Sequence, residues 1–254
     1  MDLLTIIGLL LGISCVWYSM ASGHILSLLF DLTSFILVLG GTIASTIMTY
    51  PWNVMKIIPK AIGLTIFPGK MVPYEKTIDR VCGLAEVATL RGVDVLSEHI
   101  TEEDDELLRS GVRMLLNDWS DIEIKESLEE SVNGMVERHT QIQKVFLSMG
   151  SYAPVYGLLG TLIGVLGVLR YLGDPTAMGA SMTVAIVTTF YGIFFANFVG
   201  IPMAGKLESY TNYEIRTKIL ILNGIVAIKR EMYPYLIREK LEKTISEANR
   251  KEQN

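Results

Sequence analysis

Apolar positions run almost unbroken through four stretches of the chain, roughly 3–20, 27–49, 149–169 and 182–203. Each approaches the ~20 residues that a helix needs to cross a hydrocarbon core, where backbone amides must be satisfied within their own segment. The pattern predicts four transmembrane helices. Between the second and third the polarity is mixed and the apolar period becomes three and four. Ile124, Leu128, Val132, Met135, His139, Ile142 and Phe146 then share one face of a stalk-like helix that runs towards the third span. Thr101-Glu102-Glu103-Asp104 and Ser120-Asp121-Ile122-Glu123 match the capping-box pattern and predict two helix starts. Pro51, Pro59, Pro68 and Pro73 punctuate a stretch in which Trp52, Ile57, Ile58, Ile62 and Phe67 accompany Lys56 and Lys60, the composition of a segment lying on a membrane surface. The tail from Glu208 to Lys251 is charged and favours helix.

These elements predict an all-α membrane protein. Transmembrane helices 1 and 2 occupy residues 1–50 and a cytoplasmic helical domain 51–148. Transmembrane helices 3 and 4 occupy 149–204, and a cytoplasmic helical tail 205–254.

Charge fixes the orientation. Of the 22 basic and 27 acidic residues, all but Asp2, Asp31, Arg170 and Asp174 fall in 50–148 or 205–254. Lys56 and Lys60 follow the second span, Lys144 precedes the third and Lys206 follows the fourth. The short links 21–26 and 171–181 contain neither Lys nor Arg. The positive-inside bias therefore puts the polar segments and both termini in the cytoplasm. Met1-Asp2-Leu3 has an acid where a secretory signal has bases, so the first apolar run is expected to stay in the mature protein. A net charge of −5 with acids and bases interleaved gives no footprint for nucleic acid. Cys15 and Cys82 show no disulfide or metal spacing, and His24, His99 and His139 are scattered, so no metal or cofactor is expected. No phosphate loop or nucleophile with a base is visible, which argues against an enzyme.

Small residues pattern the last two spans. Gly150, Gly157 and Gly164 recur every seven residues, Gly160 and Gly167 form a second row, and Thr188, Gly192, Ala196 and Gly200 recur every four. Such faces let backbones approach closely in lipid, where packing drives association. The span interiors lack Asp, Glu, Lys, Arg and His, although cation relays normally need an intramembrane ionisable group. If ions cross here, another chain supplies the carboxylate. The polar groups within reach are Thr161, Thr183, Thr188 and Thr189. A threonine hydroxyl can give a lone pair to a desolvated cation or bond back to its own helix, and spacing leaves both uses open. Pro154 and Pro202 each remove a helix hydrogen bond near the cytoplasmic end of their span, either as a matched hinge or, for Pro202, as a plain helix stop.

A resemblance rests on these residues. Ala153-Pro154-Val155-Tyr156-Gly157-Leu158-Leu159-Gly160-Thr161-Leu162-Ile163-Gly164 is similar to the third-helix signature of the MotA/PomA family. Thr188-Thr189-Phe190-Tyr191-Gly192 with Ala196-Asn197 and Pro202 resembles its fourth helix. Phe30-Asp31-Leu32-Thr33-Ser34 with Gly40-Gly41-Thr42 resembles its second. The resemblance implies a flagellar stator subunit, about five copies of which ring two helices of a MotB/PomB partner that carry the ion-binding aspartate. It implies, too, a cytoplasmic domain that pushes on the rotor protein FliG through charged side chains. It assigns the rotor contact to Arg91 and Glu98, with a register that departs from the family at Gly92 and Asp94. Two charges seven residues apart on a helix are otherwise ordinary solvated surface. Threonine at 161 resembles the sodium-driven branch and favours Na+ over H+. Asp31 either draws cations to an entrance or caps its helix. The related ExbB and TolQ energisers share the last two helices but have three spans; they are the alternative reading.

Overall fold

The computed structural model describes residues 3–23, 29–66 and 71–252. Asp2, His24, Phe67, Pro68 and the first residues, 27 and 28, of the second expected span lie outside them. Every regular element among the described residues is helical. The helices are α1 (Leu3–Ser22), α2 (Leu32–Thr49), α3 (Trp52–Met55), α4 (Ile58–Ile66), α5 (Tyr74–Arg91), α6 (Leu96–His99), α7 (Glu106–Leu116), α8 (Asp121–Arg170), α9 (Pro175–Lys229) and α10 (Pro234–Glu252). Three of them, α2, α8 and α9, are long and apolar enough to cross a membrane, and Leu10–Ser22 within α1 is a shorter apolar helix.

The chain divides into two compact units. One comprises 1–69 and 139–208, the other 70–138 and 209–254, so α8 and α9 each contribute to both.

In the first unit, α3 and α4 pack Val54, Ile58 and Ala61 against Val145 and Phe146 of α8 and Ala204 of α9. Trp52, Ile57, Ile62 and Leu64 stay exposed beside Lys56 and Lys60. Both α2 and α9 contain one wide π turn, at Ile36–Gly40 and Ala196–Gly200. The second ends just before Pro202, and α9 continues to Lys229. Of the two readings of Pro202, the plain helix stop is therefore excluded: the widened turn relieves the clash between the proline ring and the preceding turn. Pro154 likewise lies inside α8 without ending it.

The second unit is a helical bundle. Ile78, Val81, Leu84 and Ala85 of α5 bury against Leu96, Val112 and Leu115, against Ile124 and Leu128 of α8, Leu220 and Ile225 of α9, and Ile237 and Leu241 of α10. Each Val, Leu or Ile side chain among them is worth about 1.5–3 kcal/mol when fully buried. The capping box at the start of α8 forms: Glu123 Oε2 accepts from Ser120 N at 2.9 Å, and Ser120 Oγ accepts from Glu123 N at 3.2 Å. The one expected at Thr101 is corrected. Asp104 does accept from Thr101 N at 2.8 Å, but only a turn results, and α7 starts later, capped by Asp105 through Leu107 N at 2.9 Å. Asp104 closes this turn while it pairs with Arg80, and the adjacent Asp105 takes the cap.

Candidate functional site

Helices α8 and α9 meet backbone to backbone. A Cβ placed on Gly200 would lie 2.8 Å from Gly150 Cα, and one on Gly192 would lie 2.6 Å from Ala153 O and 3.1 Å from Pro154 Cα. Further along, a Cβ on Gly157 would meet Thr188 O at 2.9 Å. One on Gly160 would run into the Thr188 side chain, and one on Gly164 would meet Ser181 O at 2.7 Å. Rising numbers on α8 face falling numbers on α9, so the pair is antiparallel. The glycine face of one span is filled by the small-residue face of the other, a contact made within one chain.

This contact sorts the threonines. Thr188 is fully buried, seated in the hollow of Gly160, and its hydroxyl donates to Val184 O at 2.8 Å and Ala185 O at 3.1 Å. Thr161 and Thr189 are only half-buried. The Thr161 hydroxyl donates to Leu158 O at 2.5 Å, the Thr189 hydroxyl to Ala185 O at 3.3 Å and that of Thr183 to Gly179 O at 3.0 Å. Donating the proton back to the helix leaves the oxygen lone pairs in place, so an accessible threonine keeps its capacity to accept or to ligate. Thr161 and Thr189 retain that access, and Thr188 is a packing residue within this chain. Around Thr161 the α8 surface is apolar and open, with Leu158, Leu162 and Leu166 at 62%, 58% and 66% exposure.

Asp31 caps α2. Its carboxylate accepts from Ser34 N at 2.7 Å and from the Ser34 hydroxyl. The same end of α2 is tied to α9 by an edge-to-face contact of Phe35 with Tyr191 at 5.9 Å and by the Tyr191 hydroxyl, which donates to Leu29 O. Tyr191 therefore joins the Asp31 helix start to the Thr188–Gly192 face.

The sequence reading missed a seam of hydroxyls between α2 and α8. Ser45 and Tyr156 share a hydrogen bond of 2.7 Å, Thr49 and Tyr152 one of 3.0 Å, and Tyr50 and Ser148 one of 2.7 Å. These rungs bracket Pro154 on both sides. The four-residue spacing of Ser148, Tyr152 and Tyr156 was the available signal, but periodicity does not say which helix a face meets.

Arg91 and Glu98 do not share a helix. Arg91 is the exposed last residue of α5, Gly92 turns the chain with φ +87°, and Glu98 is exposed on the short α6. Neither forms an ion pair or hydrogen bond among the described residues. Behind them, Arg80 grips Asp104 with Nε to Oδ1 at 2.7 Å and Nη2 to Oδ2 at 2.6 Å, and Nη2 also donates to His99 O at 2.5 Å. The guanidinium bonds hold the Asp104 carboxyl down at about 2. No group of three His, Cys, Asp or Glu among the described residues is placed to hold a metal ion.

Comparisons with known proteins agree with this architecture. The profile of the MotA/TolQ/ExbB proton channel family matches residues 99–219. The chain is 31% identical over 255 residues to the chemotaxis protein PomA of Vibrio alginolyticus, covering 98% of each. It is 29% identical over 252 residues to motility protein A of Treponema pallidum, covering 99% of this chain and 97% of the relative. Its fold matches the MotAB structure of C. jejuni with a TM-score of 0.86 at 26% identity, over 96% of both chains. It matches the flagellar MotAB stator complex of Bacillus subtilis with a TM-score of 0.82 at 26% identity, over 91% of this chain and 93% of that one. The chain belongs to the MotA/PomA group of the MotA/TolQ/ExbB proton channel family.

Proposed function

We propose that this chain is the ring subunit of a flagellar stator, a multi-pass inner-membrane protein that works with a MotB-type partner. Ion-motive force, and no chemical reaction of its own, drives rotation. The observation that carries this reading is the pairing of α8 and α9. They seal to each other through Gly157, Gly160, Gly164 and Gly192 and leave Thr161 and Thr189 half-open, without an intramembrane carboxylate. A cation needs a charged ligand in the low-dielectric core. In this reading the partner's single span brings that aspartate, and the open apolar face of α8 is covered by partner and neighbouring copies.

The finer assignments follow the same logic. About five copies surround two partner helices, with the 51–148 domain and both chain ends in the cytoplasm and α1 as the fourth span. Thr161 and Thr189 offer lone pairs to a partly dehydrated Na+, and Asp31 keeps negative charge at the outer end of α2 while it caps the helix. Carriage of the ion bends α8 at Pro154 and α9 at Pro202. Arg91 and Glu98, exposed on separate elements of the second unit, meet charges on FliG.

The test is co-expression with a MotB-type single-span protein in a stator-less motile host, with torque followed against sodium and against proton-motive force. A stable complex with sodium-dependent rotation supports the whole reading. Rotation indifferent to sodium keeps the stator and makes the ion H+. Absence of a complex and of motility refutes it.

A further inference from the structure

The exposed Glu98 sits on a segment that cannot fix its own shape. Between Gly92 and Asp105 the chain forms one 3-10 turn, Val93–Val95, and the four-residue α6. Isolated helices shorter than ~12–15 residues are marginal in water, so the conformation of this segment is imposed by its anchors. One anchor is apolar: Leu96 is fully buried in the bundle core. Val93 and Ile100, partly buried, pack against the same core on either side of it, and these apolar contacts leave the polar backbone at the end of α6 to be held by other groups.

The other anchor is the guanidinium of Arg80, on α5. Its Nη2 donates to the carbonyl of His99, the residue next to Glu98 and the last of α6. A cation there satisfies an orphan carbonyl and complements the negative end of the helix. The same guanidinium holds Asp104 in the two-pronged geometry that a lysine cannot reproduce. Asp104 in turn accepts from Thr101 N at 2.8 Å and Thr101 Oγ1 at 3.0 Å. One side chain thus closes the polypeptide on both sides of Thr101. The Asp104 side chain is only 10% exposed and that of Arg80 39%, so solvent reaches the pair mainly from the guanidinium side.

We infer that Arg80 and Asp104 are positioning residues for the rotor contact: together they latch the 93–104 segment to α5 and present Glu98 at a fixed place. The inference rests on the reading of Glu98 as a rotor-contact residue. Neither latch residue touches the rotor in this scheme. The carboxylate stays ionised throughout the physiological pH range, so the latch is constitutive.

Arg80→Lys and Asp104→Asn, each in the full chain co-expressed with its MotB-type partner, test it. Asp79→Asn is the control, because it breaks the comparable 2.6 Å pair of Arg238 with α5, which lies outside the 93–104 segment. Two quantities are measured: amide hydrogen exchange of the purified complex, and torque per stator in tethered cells. The expected result is faster exchange confined to 93–104 and a several-fold fall in torque for both latch variants, with neither change in the control. Exchange in 93–104 that matches the parent overturns the latch, whatever Glu98 does. Faster exchange with full torque, or an equal torque loss in Asp79→Asn, overturns the positioning role. Glu98→Lys is run alongside: normal swimming in that variant refutes the rotor-contact reading itself.

Discussion

Adding a single methyl group at Gly192 tests the α8/α9 contact directly. Its Cβ would sit 2.6 Å from Ala153 O and 3.1 Å from Pro154 Cα, both backbone atoms, whereas ordinary contacts begin near 3.4 Å. The helices must therefore separate by ~0.8 Å at this point, and a radial gap of that order forfeits roughly a quarter to a half of each dispersion contact around it. Overpacking of this kind costs about 1–3 kcal/mol, and rigid backbone neighbours place it towards the upper end. The better helix propensity of alanine returns about 1 kcal/mol. Gly179, on the same α9, provides the comparison, because nothing lies within 4 Å of its Cβ position and the propensity gain stands alone. Gly179→Ala and Gly192→Ala should then differ by about 2–3 kcal/mol, or roughly 4–12 °C in melting temperature. The assay is thermal melting of the purified complex followed by size-exclusion retention. Equal melting of the two variants would mean that the glycine face is not a tight contact, and the packing argument fails.

The other expectations concern chemistry. Thr161→Ala should lower motility at fixed sodium with little change in melting, and Thr188→Ala should lower melting while leaving the sodium response intact; the opposite pattern would reverse the division between ligand and packing residue. Tyr152→Phe with Tyr156→Phe removes two rungs of the hydroxyl seam, at about 0.6 kcal/mol per interhelical bond in a membrane, and an unchanged melting temperature would show that the seam holds nothing. Asp104 has its carboxyl lowered from an ordinary 3.8 to about 2, so its ionised form adds stability that is complete above about pH 5 and is lost progressively as the pH falls through 2. The melting gap between the parent and Asp104→Asn should narrow over that window, and a gap undiminished at pH 2 contradicts the charge pairing.

The resemblance to the MotA/PomA family was legible in continuous runs of residues, because a transmembrane helix is specified by its own length and hydrophobicity and the motif glycines lie close together in sequence. Ser120 and Glu123 were readable for the same reason: a capping box is closed within four residues. Thr101 and Asp104 carry the same local pattern, yet no helix starts there. Asp104 makes the local bond to Thr101 N, but the adjacent Asp105 caps α7 through Leu107 N, a choice between neighbouring carboxylates that the four-residue pattern cannot register. Arg91 and Glu98 read as two charges seven residues apart on one helix, and Gly92 with its positive φ puts them on different elements.

By itself, then, the sequence determined the helical character of the chain, its apolar spans and the lack of an intramembrane carboxylate, since these depend on composition and short-range periodicity. Only the tertiary structure decided which threonine is spent on packing. Thr188 and Thr189 are adjacent in sequence, but successive residues on a helix point about 100° apart, so one enters the hollow of Gly160 and the other stays accessible. The hydroxyl seam across Pro154 and the grip of Arg80 on the Glu98 segment were settled at the same level. Each joins residues far apart in the chain, and their meeting depends on how whole helices pack.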